Sequence, residues 1–143
     1  CIEVQALSPS PLSLAIIAES YRKLGWETLI SDYRARYAEK ARLTSQIFRE
    51  SPEAAERWTW EEPRGGVYLW LTSLESIETT QVSEIAAKEG VRVIPGTHFH
   101  PDGLPSSSLR ICFSNAHPGQ LEKGLRRLIP ILTHAAGLKG AMR

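Results

Sequence analysis

The fold is decided by three short stretches, which read Pro-Arg-Gly-Gly-Val-Tyr-Leu-Trp-Leu (63–71), Gly-Val-Arg-Val-Ile-Pro-Gly-Thr-His-Phe (90–99) and Leu-Arg-Ile-Cys-Phe-Ser (109–114). Each contains a run of β-branched, aromatic or other apolar residues that lies next to glycine, proline or serine, a pattern typical of strands. The sequence therefore predicts three main strands, at 67–71, 91–94 and 109–114. Trp58 and Trp60 alternate with polar residues, which predicts a further short strand at an edge.

The segments around these strands have helical spacing. Ser10-Pro11 reads as an N-cap followed by proline at the first helical position, and Gly25 predicts the end of that first helix. A longer amphipathic helix is predicted from residue 26 to residue 50, a short one from 80 to 89, and a last one from Pro118 that Pro130 should kink. The sequence thus predicts a small two-layer α+β domain, a long helix followed by β-α-β-β-α with a mainly antiparallel sheet.

Size and composition restrict the possible functions. The chain has 143 residues and a formal net charge of +1, so there is no electrostatic case for binding nucleic acid. No apolar run approaches the length that crosses a membrane. Two distant cysteines, Cys1 and Cys112, form neither a disulfide framework nor a zinc motif. We therefore expect a protein of a reducing compartment, the cytoplasm, with no nucleic-acid or membrane partner.

Arg110 is the one charged residue in the apolar run from Leu109 to Phe113. A charge in a buried or half-buried strand is expensive unless it is paired. One interpretation is a structural ion pair with one of the chain's 16 acidic residues. The other is a ligand site, because a guanidinium suits bidentate capture of a carboxylate. The residues alone leave both open.

Other candidate chemistry in the chain is weak. His98, His100 and Asp102 alternate through a polar loop but have no fourth partner at metal-site spacing, so we expect no metal. The Ser-x-x-Lys match at Ser20 to Lys23 lies among solvated charges on a helix, where nothing would activate the lysine. No glycine-rich phosphate loop precedes a helix. No catalytic residue is therefore predicted within the chain itself.

The order of the motifs resembles one family. The three stretches quoted above are followed by Leu-x-x-Gly-Leu-x-x-Leu at 121–128, and Asp102-Gly103 stands between the second and the third. Together they resemble the C-terminal small domain of the fold type I, pyridoxal-phosphate-dependent aminotransferases of class I and II, nearest the 2-aminoadipate aminotransferase branch. No single element is specific, whereas five in the right order are.

The resemblance implies roles for several residues. Arg110 matches the family arginine that grips the α-carboxylate of the substrate. Gly65 and Gly66 match positions where a strand approaches the active-site cleft. The turn that shapes the small-domain wall of that cleft is matched by Pro95, Gly96 and Phe99.

The resemblance also implies a domain plan and a cofactor. Residues 1–28 would be the end of the large domain and a linker, and residues 29–143 the small domain. The residues that hold pyridoxal 5'-phosphate in the family lie N-terminal to where this chain begins, so we expect none of its ligands here. The chain would be inactive alone and, joined to its large domain in a homodimer, would transfer an amino group between an amino acid and a 2-oxo acid. Two alternatives are an effector-sensing domain of a transcription regulator and a free-standing interaction module.

Overall fold

The protein structure is a computed structural model that describes residues 10–135. Its elements in chain order are the helices and strands α1 (Pro11–Leu24), α2 (Trp26–Arg49), α3 (Pro52–Arg57), β1 (Trp58–Trp60), β2 (Tyr68–Ser73), α4 (Thr79–Lys88), β3 (Ile94–Pro95), a 3-10 helix (Gly96–Phe99), β4 (Ser108–Cys112) and α5 (Pro118–His134). The chain divides into two compact units, with the division after Arg36. The predicted domain boundary after residue 28 stays a prediction, and Cys1 lies outside the described residues.

The first unit contains α1 and the beginning of α2. The Ser10 hydroxyl accepts a hydrogen bond from the Ser13 N–H at 3.5 Å, and proline follows Ser10 at the first helical position, as predicted. At the other end, the Gly25 N–H donates to the Tyr21 carbonyl at 2.9 Å. No residue of α1 is buried, although its sequence is apolar.

The second unit is built on a four-stranded sheet. Its strands lie in the order β1-β2-β4-β3, and each neighbouring pair is antiparallel. Trp70 of β2 lies opposite Arg110 of β4, which in turn lies opposite Ile94 of β3. The predicted α+β fold with a mainly antiparallel sheet is confirmed.

The core of the second unit lies on one face of this sheet. Alternate residues of the strands face it, as the period-2 spacing of a strand requires, and the helices contribute residues at helical spacing. The buried side chains include Leu69, Leu71, Leu109 and Ile111 from the strands, and Phe48, Leu121, Leu125, Leu128 and Leu132 from α2 and α5. The buried Trp58 indole N–H donates to the Leu132 carbonyl at 3.2 Å and so ties β1 to α5.

The strand predicted at 91–94 is shorter than its sequence pattern indicated. We expected residues 91–94 to be extended, but β3 consists of Ile94 and Pro95 only. The preceding residues bond to α4 instead: the Val91 N–H donates to the Ala86 carbonyl at 2.8 Å, and the Val93 carbonyl accepts from the Ser83 hydroxyl at 2.8 Å. Backbone groups used in this way are not available to the sheet.

The polar loop that contains His98, His100 and Asp102 was expected to be exposed from residue 97 to residue 108, but it is more structured at both ends. It begins with the 3-10 helix, Gly96–Phe99. Near its other end Ser106 is buried, and the Ser106 carbonyl accepts a hydrogen bond from the Thr79 hydroxyl at 2.7 Å.

Two helices also differ from the prediction. The short helix α3 was not predicted. The last helix is not interrupted by Pro130, because α5 continues to His134.

Candidate functional site

The candidate site lies on the face of the sheet opposite the core. Tyr68 and Trp70 of β2 and Arg110 of β4 alternate with the buried residues of their strands and point to this face. Phe99, the last residue of the 3-10 helix, joins them there: its ring centroid lies 5.3 Å from that of Trp70, in an edge-to-face arrangement. The three aromatic side chains are between 43% and 46% exposed, so the face carries large apolar groups that are not buried.

Arg110 lies at the centre of this face and is half-buried. Its guanidinium carbon is 4.1 Å from the centroid of the Tyr68 ring and 4.9 Å from that of the Phe99 ring. Both distances are within the range of a cation–π attraction. The Arg110 Nε atom is buried and has no hydrogen-bond partner. A buried donor without a partner is unfavourable, and such an atom is often explained by a ligand or water.

The structural ion pair considered for Arg110 is not found. Every ion pair among residues 10–135 involves another arginine or a lysine. A groove of about 480 Å³ runs beside Arg110, and its other lining residues include Arg92, Ile94 and Cys112. Both charged residues of this groove are arginines and none is acidic. A groove with this lining favours an anion, because positive charges with no local counter-charge attract one.

Cys112 lies two residues from Arg110 on the same face and is exposed. Its sulfur lies 3.3 Å from the Ser114 hydroxyl oxygen. Partial burial on its own raises the pKa of the Cys112 thiol, but hydrogen bonds with Ser114 and Asn115 and the positive charge of Arg110 outweigh burial, so the pKa lies below its ordinary value. The electrostatic environment of this face therefore stabilises negative charge.

The glycines that the resemblance singled out differ in their surroundings. Gly66 has φ of +74°, which a residue with a side chain rarely adopts, and it directly precedes the extended segment that becomes β2. Gly96 is crowded instead: a Cβ atom there would lie 2.2 Å from the Ser106 Oγ atom. Gly96 thus fixes the start of the 3-10 helix that brings Phe99 to Arg110.

The weaker candidates remain apart from this site. His98, His100 and Asp102 are exposed. Across residues 10–135, no group of three or more His, Cys, Asp or Glu side chains is arranged to hold a metal ion. Lys23 forms an ion pair with Glu19 at 3.2 Å on the exposed surface of α1. Within the same part of the chain, no helix is both long and apolar enough to cross a membrane.

Tyr68 and Trp70 are the site residues that sequence reasoning missed. We treated them only as part of a β-prone run. A strict period of two through β2 places them on the face of Arg110 once Leu69 and Leu71 are assigned to the core. The contact with Phe99 had no such signal, because it depends on a 3-10 helix that the sequence did not predict.

Comparison with known proteins decides the family. The profile of the family described as "Aminotransferase class I and II" matches residues 7–128, which is most of the chain. The chain belongs to the class I and II aminotransferases. The predicted resemblance is therefore confirmed, and the 2-aminoadipate branch is supported by the relatives.

Individual relatives agree with this assignment. The chain is 28% identical over 123 residues to an uncharacterized aminotransferase of Saccharolobus solfataricus, a match that covers 86% of this chain and 30% of that protein. It is 25% identical over 120 residues to a 2-aminoadipate transaminase of Thermus thermophilus, covering 83% of this chain and 30% of that protein.

The fold is also that of a solved aminotransferase. The crystal structure of LysN, an α-aminoadipate aminotransferase from Thermus thermophilus complexed with N-(5'-phosphopyridoxyl)-L-leucine, matches 95% of this chain with a TM-score of 0.81 and 21% identity. The match covers 34% of the LysN chain. This chain therefore spans about a third of the length of the aminotransferases it resembles.

Proposed function

We propose that these residues form the C-terminal portion of a pyridoxal-phosphate-dependent aminotransferase, in which Arg110 binds the α-carboxylate of the substrate. The observation that carries the proposal is Arg110 itself. Its charge has no acidic partner among residues 10–135, its Nε atom is buried without a hydrogen bond, and its groove contains no acidic side chain. A carboxylate would bring the missing negative charge and accept two parallel hydrogen bonds from the guanidinium.

Arg110 is suited to this task by its place in the fold. It projects from the middle of β4, a strand hydrogen-bonded on both sides, so its backbone is fixed by the sheet. A carboxylate held at such a point is oriented before reaction, which saves part of the entropic cost of positioning the substrate. Arg110 is thus proposed to bind and orient the substrate, and not to move a proton.

We infer that the cofactor is not held by the described residues. None of the lysines of residues 10–135 lines the Arg110 groove. The lysines are Lys23, Lys40, Lys88 and Lys123. When bound to an enzyme, pyridoxal phosphate serves as an electron sink for carbanion chemistry at the amino acid. We propose that its lysine, its aspartate and its phosphate-binding residues belong to a large domain outside these residues, and that the isolated chain is inactive.

The substrate and the assembly follow from the same proposal. The intact enzyme would transfer an amino group between an amino acid and a 2-oxo acid and would be a homodimer, and its location in the cytoplasm stays a prediction. The relatives that match more than four-fifths of this chain are aminotransferases, which favours the enzyme over a regulator or a free-standing module.

The proposal is tested by isolating the protein from its own source and measuring its intact mass and its pyridoxal phosphate absorbance. We expect a mass well above 15.9 kDa, bound cofactor, and transamination of an amino acid with a 2-oxo acid. A protein of 15.9 kDa without cofactor would contradict the proposal, because the enzyme would then lack its catalytic domain.

A further inference from the structure

Arg110 has an unusual environment for a residue that must hold a ligand in one orientation. A long arginine side chain has several rotatable bonds, and ordering it costs conformational entropy. In ligand-binding sites a neighbouring acidic or amide group often fixes such a side chain. Arg110 forms no ion pair within residues 10–135, and its buried Nε atom has no hydrogen-bond partner there. Within residues 10–135, the contacts that the structure shows for its guanidinium are those with the Tyr68 and Phe99 rings.

We propose that Tyr68 and Phe99 are positioning residues, which hold the guanidinium of Arg110 in the plane needed to bind a carboxylate. This inference rests on the proposed function and adds the residues that prepare the site. The guanidinium carbon lies 4.1 Å from the Tyr68 ring centroid and 4.9 Å from the Phe99 ring centroid. Cation–π attraction acts at the face of each ring and uses none of the N–H groups as hydrogen-bond donors to oxygen, so the N–H groups of the two terminal nitrogens remain available for a bidentate carboxylate.

The two rings come from separate, independently fixed elements. Tyr68 belongs to β2 and lies opposite Cys112 in the sheet, one strand away from Arg110. Phe99 ends the 3-10 helix that follows β3. Contacts from two elements restrict a side chain more than contacts from one, because the rings cannot move together without moving the backbone.

Phe99 is in turn supported by Trp70. The two ring centroids are 5.3 Å apart with an interplanar angle of 76°, an edge-to-face geometry that stabilises an aromatic pair. Trp70 lies directly opposite Arg110 in the register of β2 and β4. The sheet therefore places the Tyr68 ring against Arg110 and the Trp70 ring against Phe99.

The first test measures the position of Arg110 without any enzymatic activity. In proton–nitrogen correlation spectra of the isolated chain, the Arg110 Nε–H signal, assigned by its loss in Arg110→Met, should be displaced by the ring currents of Tyr68 and Phe99. Tyr68→Leu and Phe99→Leu should each move the signal towards the position of a free arginine. Tyr68→Phe keeps the ring and is the matched control, so its signal should stay in place.

The second test is a double-mutant cycle on the full-length enzyme. Removing one ring should lower kcat/KM for the amino acid about 2- to 30-fold, mainly through a higher KM, as expected for the loss of one cation–π contact. Tyr68→Leu should have no further effect in an Arg110→Met background, because the ring acts through Arg110. Tyr68→Phe, which keeps the ring, should have the KM of the wild-type enzyme.

The outcomes separate this inference from the proposed function. If Arg110→Met raises KM but neither ring variant affects KM or the Nε–H signal, Tyr68 and Phe99 do not position Arg110. An equal loss from Tyr68→Leu in both backgrounds would also overturn the inference, since the ring would then act independently of the arginine. If Arg110→Met leaves KM unchanged, the proposed function fails instead, and the spectra still show whether the rings hold the guanidinium.

Discussion

Gly96→Ala is the substitution whose cost follows most directly from the structure. A Cβ atom at Gly96 would lie 2.2 Å from the Ser106 Oγ atom, 2.9 Å from the Ser106 Cβ atom and 3.0 Å from the Ser108 carbonyl oxygen. The backbone oxygen belongs to β4 and cannot move without disturbing the sheet. The Ser106 hydroxyl could rotate away, but it accepts a hydrogen bond from the Ser108 N–H at 3.3 Å.

The expected loss of stability has two parts. Inserting a methyl group into a packed position typically costs about 1–3 kcal/mol. Displacing the Ser106 hydroxyl removes a hydrogen bond worth about 1 kcal/mol. Gly96→Ala should therefore lower the free energy of unfolding by about 2–4 kcal/mol, which for a chain of this size corresponds to a fall in Tm of roughly 5–15 °C.

Thermal and urea unfolding of the isolated chain measure this loss, and Gly124→Ala is the matched control. Gly124 lies inside α5, and no atom outside its own helix backbone lies within 4 Å of a Cβ atom placed there. Alanine at that position should raise stability by about 0.5–1 kcal/mol, because it lowers the entropy lost on forming a helix.

A second variant tests the cause. Ser106→Gly removes both side-chain atoms that a Cβ at residue 96 would meet, so the double variant Gly96→Ala/Ser106→Gly should be more stable than the sum of the single effects indicates. The explanation by crowding between residues 96 and 106 would be refuted if Gly96→Ala were as stable as the wild type. It would also be refuted if the effects of the two substitutions on the free energy of unfolding were additive.

Two further predictions concern the core and the thiol. Trp58→Phe should lower stability by about 1–3 kcal/mol in urea unfolding, because the Leu132 carbonyl near the end of α5 then loses its donor; equal stability would contradict the role of this bond. The Cys112 thiol should react with iodoacetamide at a lower pH than an unstructured cysteine, and Arg110→Met or Ser114→Ala should raise the pH at which it reacts. Since the pKa of the Cys112 thiol is lower in the folded state, this group stabilises the fold above its unfolded-state pKa, and the contribution is lost as pH falls through the folded-state pKa. An unchanged pH profile in both variants would contradict the electrostatics described for this face.

The sequence predicted the elements well where one local signal decided them. Ser10-Pro11 and Gly25 set the ends of α1, and the apolar runs predicted as strands at 67–71 and 109–114 correspond to β2 and β4. The sequence predicted too long a strand at β3. Val91 and Val93 would be apolar whether they lay in a strand or packed against α4, and their hydrogen bonds to α4 depend on tertiary packing.

The site was predicted in part. Arg110 stood out because a single charge in an apolar run requires an explanation, and the structure shows that no acidic side chain of residues 10–135 pairs with it. The contact with Phe99 could not be predicted, since Phe99 reaches Arg110 through a 3-10 helix whose position depends on the close contact between residues 96 and 106.

The most direct test of the account is the effect of Arg110→Met on kcat/KM for the amino acid in the enzyme that contains these residues. Arg92→Met, which removes the other arginine of the same groove, is the matched control. Loss of a charged bidentate pair should lower kcat/KM about 100-fold or more for Arg110→Met, whereas Arg92→Met should have a much smaller effect, because Arg92 is exposed and would act only through long-range charge. Equal and small losses in the two variants would contradict the claim that Arg110 holds the α-carboxylate.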